Sequence, residues 1–360
     1  MKLSQTFKTI TLCTICLAYA ALLLARPAVG AAALRDGLIL CAERLIPSLL
    51  PFLVLAGFVL RSGMAAAIGK TLSPLTNRVF RLPGVCAPVI LMALIGGYPV
   101  GLSLTASLVH SNQLSPADAR QMTRFCFAAG PAFVVLGIGQ SLLNSPKAGW
   151  IIFTALAVSA LIIGLIIPQK TQDKTHYHNP EQDKINHRIV LLSTALTDSV
   201  KSAVQQMLLI CIWTLLFSTL CAYLQLFVHS DYVLTAGQAM LEVTAGTQAL
   251  TSLSSLPLIT AALAWGGLCV HVQLLDSLKQ CGQKLWRFML WRLVHAVLAA
   301  LLCHALLIVF PVVLPDLSVS VSAIPSARLW QFSAPAAMGL AAMSVGLLLT
   351  ISRNQRVYKN

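Results

Sequence analysis

Charged side chains are scarce in this chain: 36 of its 360 residues are Asp, Glu, Lys or Arg, and only 11 of those are acidic. A soluble fold carries about a quarter charged residues to cover its surface, so an ordinary soluble enzyme is excluded. With 57% hydrophobic residues and a mean hydropathy of +0.80, a disordered chain is excluded as well. The short motifs of common catalysis are missing: there is no H-E-x-x-H, no G-x-S-x-G and no Walker sequence. No two carboxylates sit at fixed spacing inside apolar sequence, so neither an enzyme nor a resident cofactor is expected. What is present in quantity is apolar sequence in long runs, and the chain reads as a polytopic integral membrane protein.

The net charge of +14 does not point to nucleic acid. Lys and Arg cluster at the ends of apolar runs, with no basic helix interleaved with aromatics to track phosphates. That is the pattern of cytoplasmic loops in membrane proteins. The ten cysteines fall mostly inside apolar runs (Cys86, Cys126, Cys211, Cys221, Cys269, Cys303), where a thiol acts as a small hydrophobe. Cys13 and Cys16 form a C-x-x-C with no second pair at ligand spacing, so no metal centre is expected.

Since roughly 20 apolar helical residues cross a bilayer core, the uncharged runs predict an all-α protein of about eight to ten spanning or half-spanning helices. The runs are Thr9–Ala25, Leu45–Leu60 (short, with Pro47 and Pro51), Leu82–Val109, Phe125–Pro146, Ala148–Gln169, Ser202–Val228, Val243–Leu275, Leu293–Pro315 and Ala334–Ile351. The first resembles a signal peptide with a small-residue site at Ala18-Tyr19-Ala20, but reads as an uncleaved helix because spans follow it. Residues 1–37 form the N-terminal helix, 38–169 a first repeat, 170–188 a polar linker, 189–315 a second repeat, and 316–360 a last helix with a basic tail. The linker holds His176, His178 and His187, read as solvated rather than metal-binding. Arg61–Arg81, Lys279–Arg292 and both termini are expected in the cytoplasm, and Asp316–Arg328 outside. Met64–Phe80 reads as an interfacial helix.

The two repeats share a plan: a span, a Gly-containing break, a second break, then a longer helix. Inverted topology is expected, with broken helices that place a site at the repeat interface. In the first half the breaks are Gly96-Gly97-Tyr98-Pro99-Val100-Gly101 and Gly130-Pro131; in the second, Thr244-Ala245-Gly246 and Gly266-Gly267. A broken helix in hydrocarbon leaves backbone groups unpaired, so such breaks persist only in buried protein or at a cavity. Glu242 is the most informative single residue, because a carboxylate at membrane depth costs at least ~2.5 kcal/mol on insertion scales and usually serves a function. An exposed loop marked by Asp231 is the alternative for it. His271 and Gln273 follow the Gly266-Gly267 break; His295 and His304 read as hydrogen-bonders between helices.

Glu43 to Phe52, Gly97-Tyr98-Pro99-Val100-Gly101, Phe125-Cys126 with Gly130-Pro131-Ala132-Phe133, Leu241-Glu242-Val243-Thr244 with Gly246, and Gly266-Gly267 leading to His271-Val272-Gln273 together resemble the sporulation integral membrane protein YlbJ family. That family carries the nucleoside-recognition, or Gate, domain, similar to part of the concentrative nucleoside transporters. The resemblance implies a role in spore cortex assembly, in the mother-cell-derived membrane. It departs before Gly130, where the family pattern is polar and this chain has Phe127, Ala128 and Ala129. The candidate substrate and ion residues are therefore Glu242, Thr244, Gly246, Gly266, Gly267, His271 and Gln273, facing Gly96, Gly97, Tyr98, Pro99, Gly101, Gly130 and Pro131. The partners this reading allows are the lipid bilayer, a small-molecule substrate with a coupling cation, and a second copy of the chain; the alternative function is a non-transporting scaffold of the spore envelope.

Overall fold

The computed structural model describes residues 2–166 and 192–312. The polar linker with its histidines, the Asp316–Arg328 stretch, and the last helix with its tail lie outside the described residues. Within them the chain is helical throughout: α1 (Lys2–Ala25), α2 (Pro27–Leu40), α3 (Ile46–Arg61), α4 (Met64–Val79), α5 (Cys86–Gly96), α6 (Tyr98–His110), α7 (Pro116–Phe125) and α8 (Pro146–Ile166). The second part comprises α9 (Leu192–Phe227), α10 (Asp231–Leu241), α11 (Val243–Thr251), α12 (Leu256–Trp265), α13 (Gly267–Gln273), α14 (Leu275–Gln280) and α15 (Leu285–Val309). Two π-helical segments, Cys41–Leu45 and Ala132–Gln140, interrupt the regular winding.

Five stretches are long and apolar enough to cross a bilayer: Pro27–Arg61, Pro146–Ile166, Leu192–Phe227, Leu256–Gln273 and Leu285–Val309. Cys13–Ala25 and Cys86–Gly96 are shorter apolar helices. With the broken helices between them, this is an all-α polytopic membrane protein.

Two expectations about the first half need correction. The run Leu45–Leu60 is not a short, proline-broken span but the second part of a helical stretch of 35 residues from Pro27 to Arg61. Pro47 falls in the first turn of α3, where the donor it lacks has the least work to do, and directly after a π-helical segment that absorbs the change in winding. At 1.5 Å per residue the stretch is roughly 50 Å long, more than a bilayer core, which leaves room for the exposed Arg35, Asp36 and Glu43 beyond the hydrocarbon. The boundary drawn at residue 37 falls inside α2, and the actual interruption is at Arg26, just before Pro27.

After the long helix α3 and the amphipathic α4 come two broken helices and one long helix: α5 and α6 around Gly97, α7 and the Ala132–Gln140 segment around 126–131, then α8. After the long helix α9 the same order recurs: α10 and α11 around Glu242, α12 and α13 around Gly266, then α15. The core lies where α12 packs on α15 and α15 on α8. Ala148, Ala155, Ala160, Ala262, Ala264, Ala299 and Cys303 are buried there. Small side chains let helix backbones approach closely where no hydrophobic driving force separates helix from lipid. Large apolar side chains such as Leu208 and Ile212 on α9 and Leu301 and Ile308 on α15 remain on the outside.

Candidate functional site

The four breaks meet in two crossed pairs. Gly97, with φ +81° and ψ −165°, separates α5 from α6 in a conformation open essentially only to glycine. A Cβ there would lie 2.9 Å from the Gly130 nitrogen, and one on Gly130 would lie 2.8 Å from the Ile95 carbonyl. The first-half breaks therefore touch backbone to backbone. The helix resumes at once, with Pro99 in the first turn of α6; the non-helical part is the single residue Gly97 rather than the whole Gly96–Gly101 motif. In the second half, Gly266 (φ +85°) ends α12 and Gly267 (φ +72°) begins α13. A Cβ on Gly267 would come within 2.9 Å of the Val243 nitrogen and 3.1 Å of Glu242 Cα.

Glu242 occupies the break between α10 and α11 with extended backbone (φ −139°, ψ 126°) and caps α11 with its own side chain. Its Oε2 accepts from the Ala245 N–H at 2.6 Å, and the Thr244 N–H and hydroxyl also hydrogen-bond the carboxylate. Only 1% of Glu242 is exposed, so the exposed-loop alternative is excluded, while Asp231 lies exposed in the first turn of α10.

A cavity of ≈ 50 Å³ opens beside it. Gly96, Gly97, Tyr98, Pro99 and Gly130 line it from the first half, and Glu242, Thr244 and Gln273 from the second. Leu49, Phe133, Ile210, Thr214 and Cys269, none of them among the candidate substrate or ion residues, complete much of the wall. The other candidates stand elsewhere. Gly246 is wedged against Ala239 of α10, and Gly101 against the Cys126 carbonyl and Ala93. Pro131 opens the π-helical segment, and neither it nor Gly266 nor Gly267 lines the cavity.

His271 is also outside the cavity. Its Nδ1 lies 2.6 Å from the Gly267 carbonyl one turn back, and its ring sits among Trp265, Phe288 and Phe127 at centroid distances of 4.4, 5.3 and 6.4 Å. Tyr98 connects that cluster to the cavity. Its hydroxyl donates to the Leu263 carbonyl, and its ring lies 4.8 Å from that of Phe127.

The residue that the sequence reading missed is Arg292, assigned above to a basic loop. The structure places it in α15, fully buried. It donates from Nη1 to the Phe127 carbonyl at 2.6 Å and from Nη2 to the Arg124 carbonyl, with its charge 4.7 Å from the Phe127 ring and 5.3 Å from the Phe288 ring. Those carbonyls are left bare by the end of α7, whose negative dipole end attracts a cation. Phe127, read as the loss of a polar ligand, is one wall of this arginine's pocket. The one signal was position: Arg292 directly precedes the apolar run Leu293–Pro315, and α15 starts seven residues before it, at Leu285.

Compared with known proteins, the chain is 24% identical over 338 residues to the sporulation integral membrane protein YlbJ of Bacillus subtilis (strain 168), covering 83% of this chain and 83% of the relative. That similarity runs over most of both chains. No family model and no solved structure matches it. The likeness to an integral membrane protein agrees with the multi-pass helical architecture and with the bilayer as its environment.

Proposed function

We propose that the protein serves sporulation as a transporter-like membrane protein in which the Glu242 cavity takes a small cation. The observation that carries this reading is the cavity itself: one wall comes from the Gly97 and Gly130 breaks, the other from Glu242, Thr244 and Gln273, and among the described residues Glu242 is the only acid that lines it. The twofold recurrence of two broken helices and a long helix supports related, inverted repeats, the arrangement in which broken helices hold a site at the repeat interface. A volume of ≈ 50 Å³ holds a few waters or a partly dehydrated cation. It is far below the roughly 300–1,000 Å³ of pockets that enclose organic solutes, so a nucleoside would need a more open conformation. By the family resemblance, the setting is spore cortex assembly in the mother-cell-derived membrane.

The second reading is a membrane scaffold of the spore envelope without flux, favoured by the small size of the cavity and its mainly apolar wall. Glu242→Gln separates the two. The amide oxygen of the substituted side chain can still accept from the Ala245 N–H, so the cap survives while the charge goes. Loss of heat-resistant spores at normal membrane protein level supports the cation site. Normal spore yield at that level removes Glu242 from function and favours the scaffold.

A further inference from the structure

Three arginines converge where α7 meets the start of α15, and none of them lines the cavity. Arg120 and Arg124 lie four residues apart on one face of α7. Arg287 stands in the first turn of α15. Burial, then the charges of Arg120 and Arg287, holds Arg124 below the usual arginine value, so the three sense one another. Arg120 also reaches the turn before α15, where a Cβ on Gly282 would be 3.3 Å from its Nη1.

Nothing among the described residues neutralises them. None of the three guanidinium groups makes a hydrogen bond or ion pair there, and Arg124 Nε is buried without a partner. Asp118, two residues from Arg120 on α7, is engaged by the Ser115 hydroxyl, and Asp276 by Gln280. Two tryptophans give the guanidiniums cation–π contacts: Arg124 lies 5.4 Å over Trp291 and Arg287 5.2 Å over Trp286. Stacking leaves the N–H edges of a guanidinium free, and those edges match the oxygens of a phosphate. Three cations brought together beside a buried, unmet donor make a place where an anion is stabilised.

The depth selects its source. α15 is a membrane-crossing helix, and Trp286 to Trp291 occupy its first two turns. Trp residues mark the headgroup level of a bilayer, and basic pockets between helix ends bind anionic headgroups there. We infer that Arg120, Arg124 and Arg287 form a binding site for the phosphate of an anionic phospholipid.

The test uses the full chain in nanodiscs of phosphatidylcholine alone or with phosphatidylglycerol, with thermal stability and bound lipid by native mass spectrometry as readouts. Wild type should retain phosphatidylglycerol and melt higher in its presence. Arg287→Gln, at an exposed position, should weaken that retention about five-fold, the loss of one arginine near a membrane surface, and the change of all three arginines to Gln should abolish it. A further arm adds inorganic phosphate to protein in phosphatidylcholine. Stabilisation by free phosphate equal to that by phosphatidylglycerol would overturn the lipid assignment, as would lipid retention unchanged in Arg287→Gln and in the triple variant. Should the triple variant fail to insert, the single variant and the wild-type lipid census decide.

Discussion

Replacing Arg292 by Lys should damage the protein more than replacing it by Met. The guanidinium reaches two carbonyls, of Arg124 and Phe127, that receive no backbone donor among the described residues. A buried carbonyl left without its partner costs about 1–3 kcal/mol. Contact with two aromatic faces adds about 2 kcal/mol where the cation is desolvated. Lys keeps the charge, which stays buried and is more strongly hydrated outside than a guanidinium. Its compact head reaches one carbonyl and loses most of the stacking, a net loss of about 2–4 kcal/mol. Met fills similar space and orphans both carbonyls, about 2–6 kcal/mol, but it also removes a buried cation that has no carboxylate beside it, which returns several kcal/mol. The two Met terms nearly cancel. At roughly 2–3 °C per kcal/mol, Arg292→Lys should melt about 5–10 °C below wild type, with Arg292→Met between them. Thermal unfolding of the detergent-purified full chain, followed by loss of the monodisperse chromatographic peak, reads this order. Wild-type stability in Arg292→Lys would refute the argument, because the forked, planar donation would then not be what holds the break at 126–131.

Gly97→Ala should prevent accumulation of folded protein in the membrane, since its dihedral angles alone cost about 1–3 kcal/mol in a residue with a Cβ and that Cβ would lie 2.9 Å from the Gly130 nitrogen; a normal membrane level at unchanged melting temperature would show that the two breaks do not cross there. Tyr98→Phe keeps the ring against Phe127 and removes only the donation to Leu263, so melting should fall by the equivalent of about 1 kcal/mol; a loss as large as that expected for Arg292→Lys would contradict a purely local bond.

The sequence makes the breaks legible because breaking a membrane helix needs residues that stand out: Gly97 beside Pro99, Gly130 before Pro131, Gly266 beside Gly267. Glu242 is legible for the same reason, as a carboxylate where apolar residues are the norm. The prolines of α3 mislead, because whether a proline breaks a helix depends on its place in a turn and on a π-helical segment that no residue type announces. Arg292 is misread because a loop charge and a buried charge are the same letter, and only the partner carbonyls, which come from a distant break in α7, distinguish them. His271 is misread in the opposite direction: a histidine one turn from a glycine break satisfies its Nδ1 on its own helix and turns into an aromatic cluster instead of the cavity.

The two halves use the same device, a broken helix, and close it with opposite charges. At the second-half break the exposed helix end is the N-terminus of α11, and its N–H groups are taken by the Glu242 carboxylate. At the first-half break after α7 the exposed end is a C-terminus, and its carbonyls are taken by Arg292. Freed carbonyls at such a helix end are the groups that coordinate cations in broken-helix carriers, and here a tethered guanidinium already occupies them. Tyr98 and Phe127 link the two groups: Tyr98 lines the Glu242 cavity and its tilted ring meets Phe127, which also contacts Phe288, His271 and Arg292.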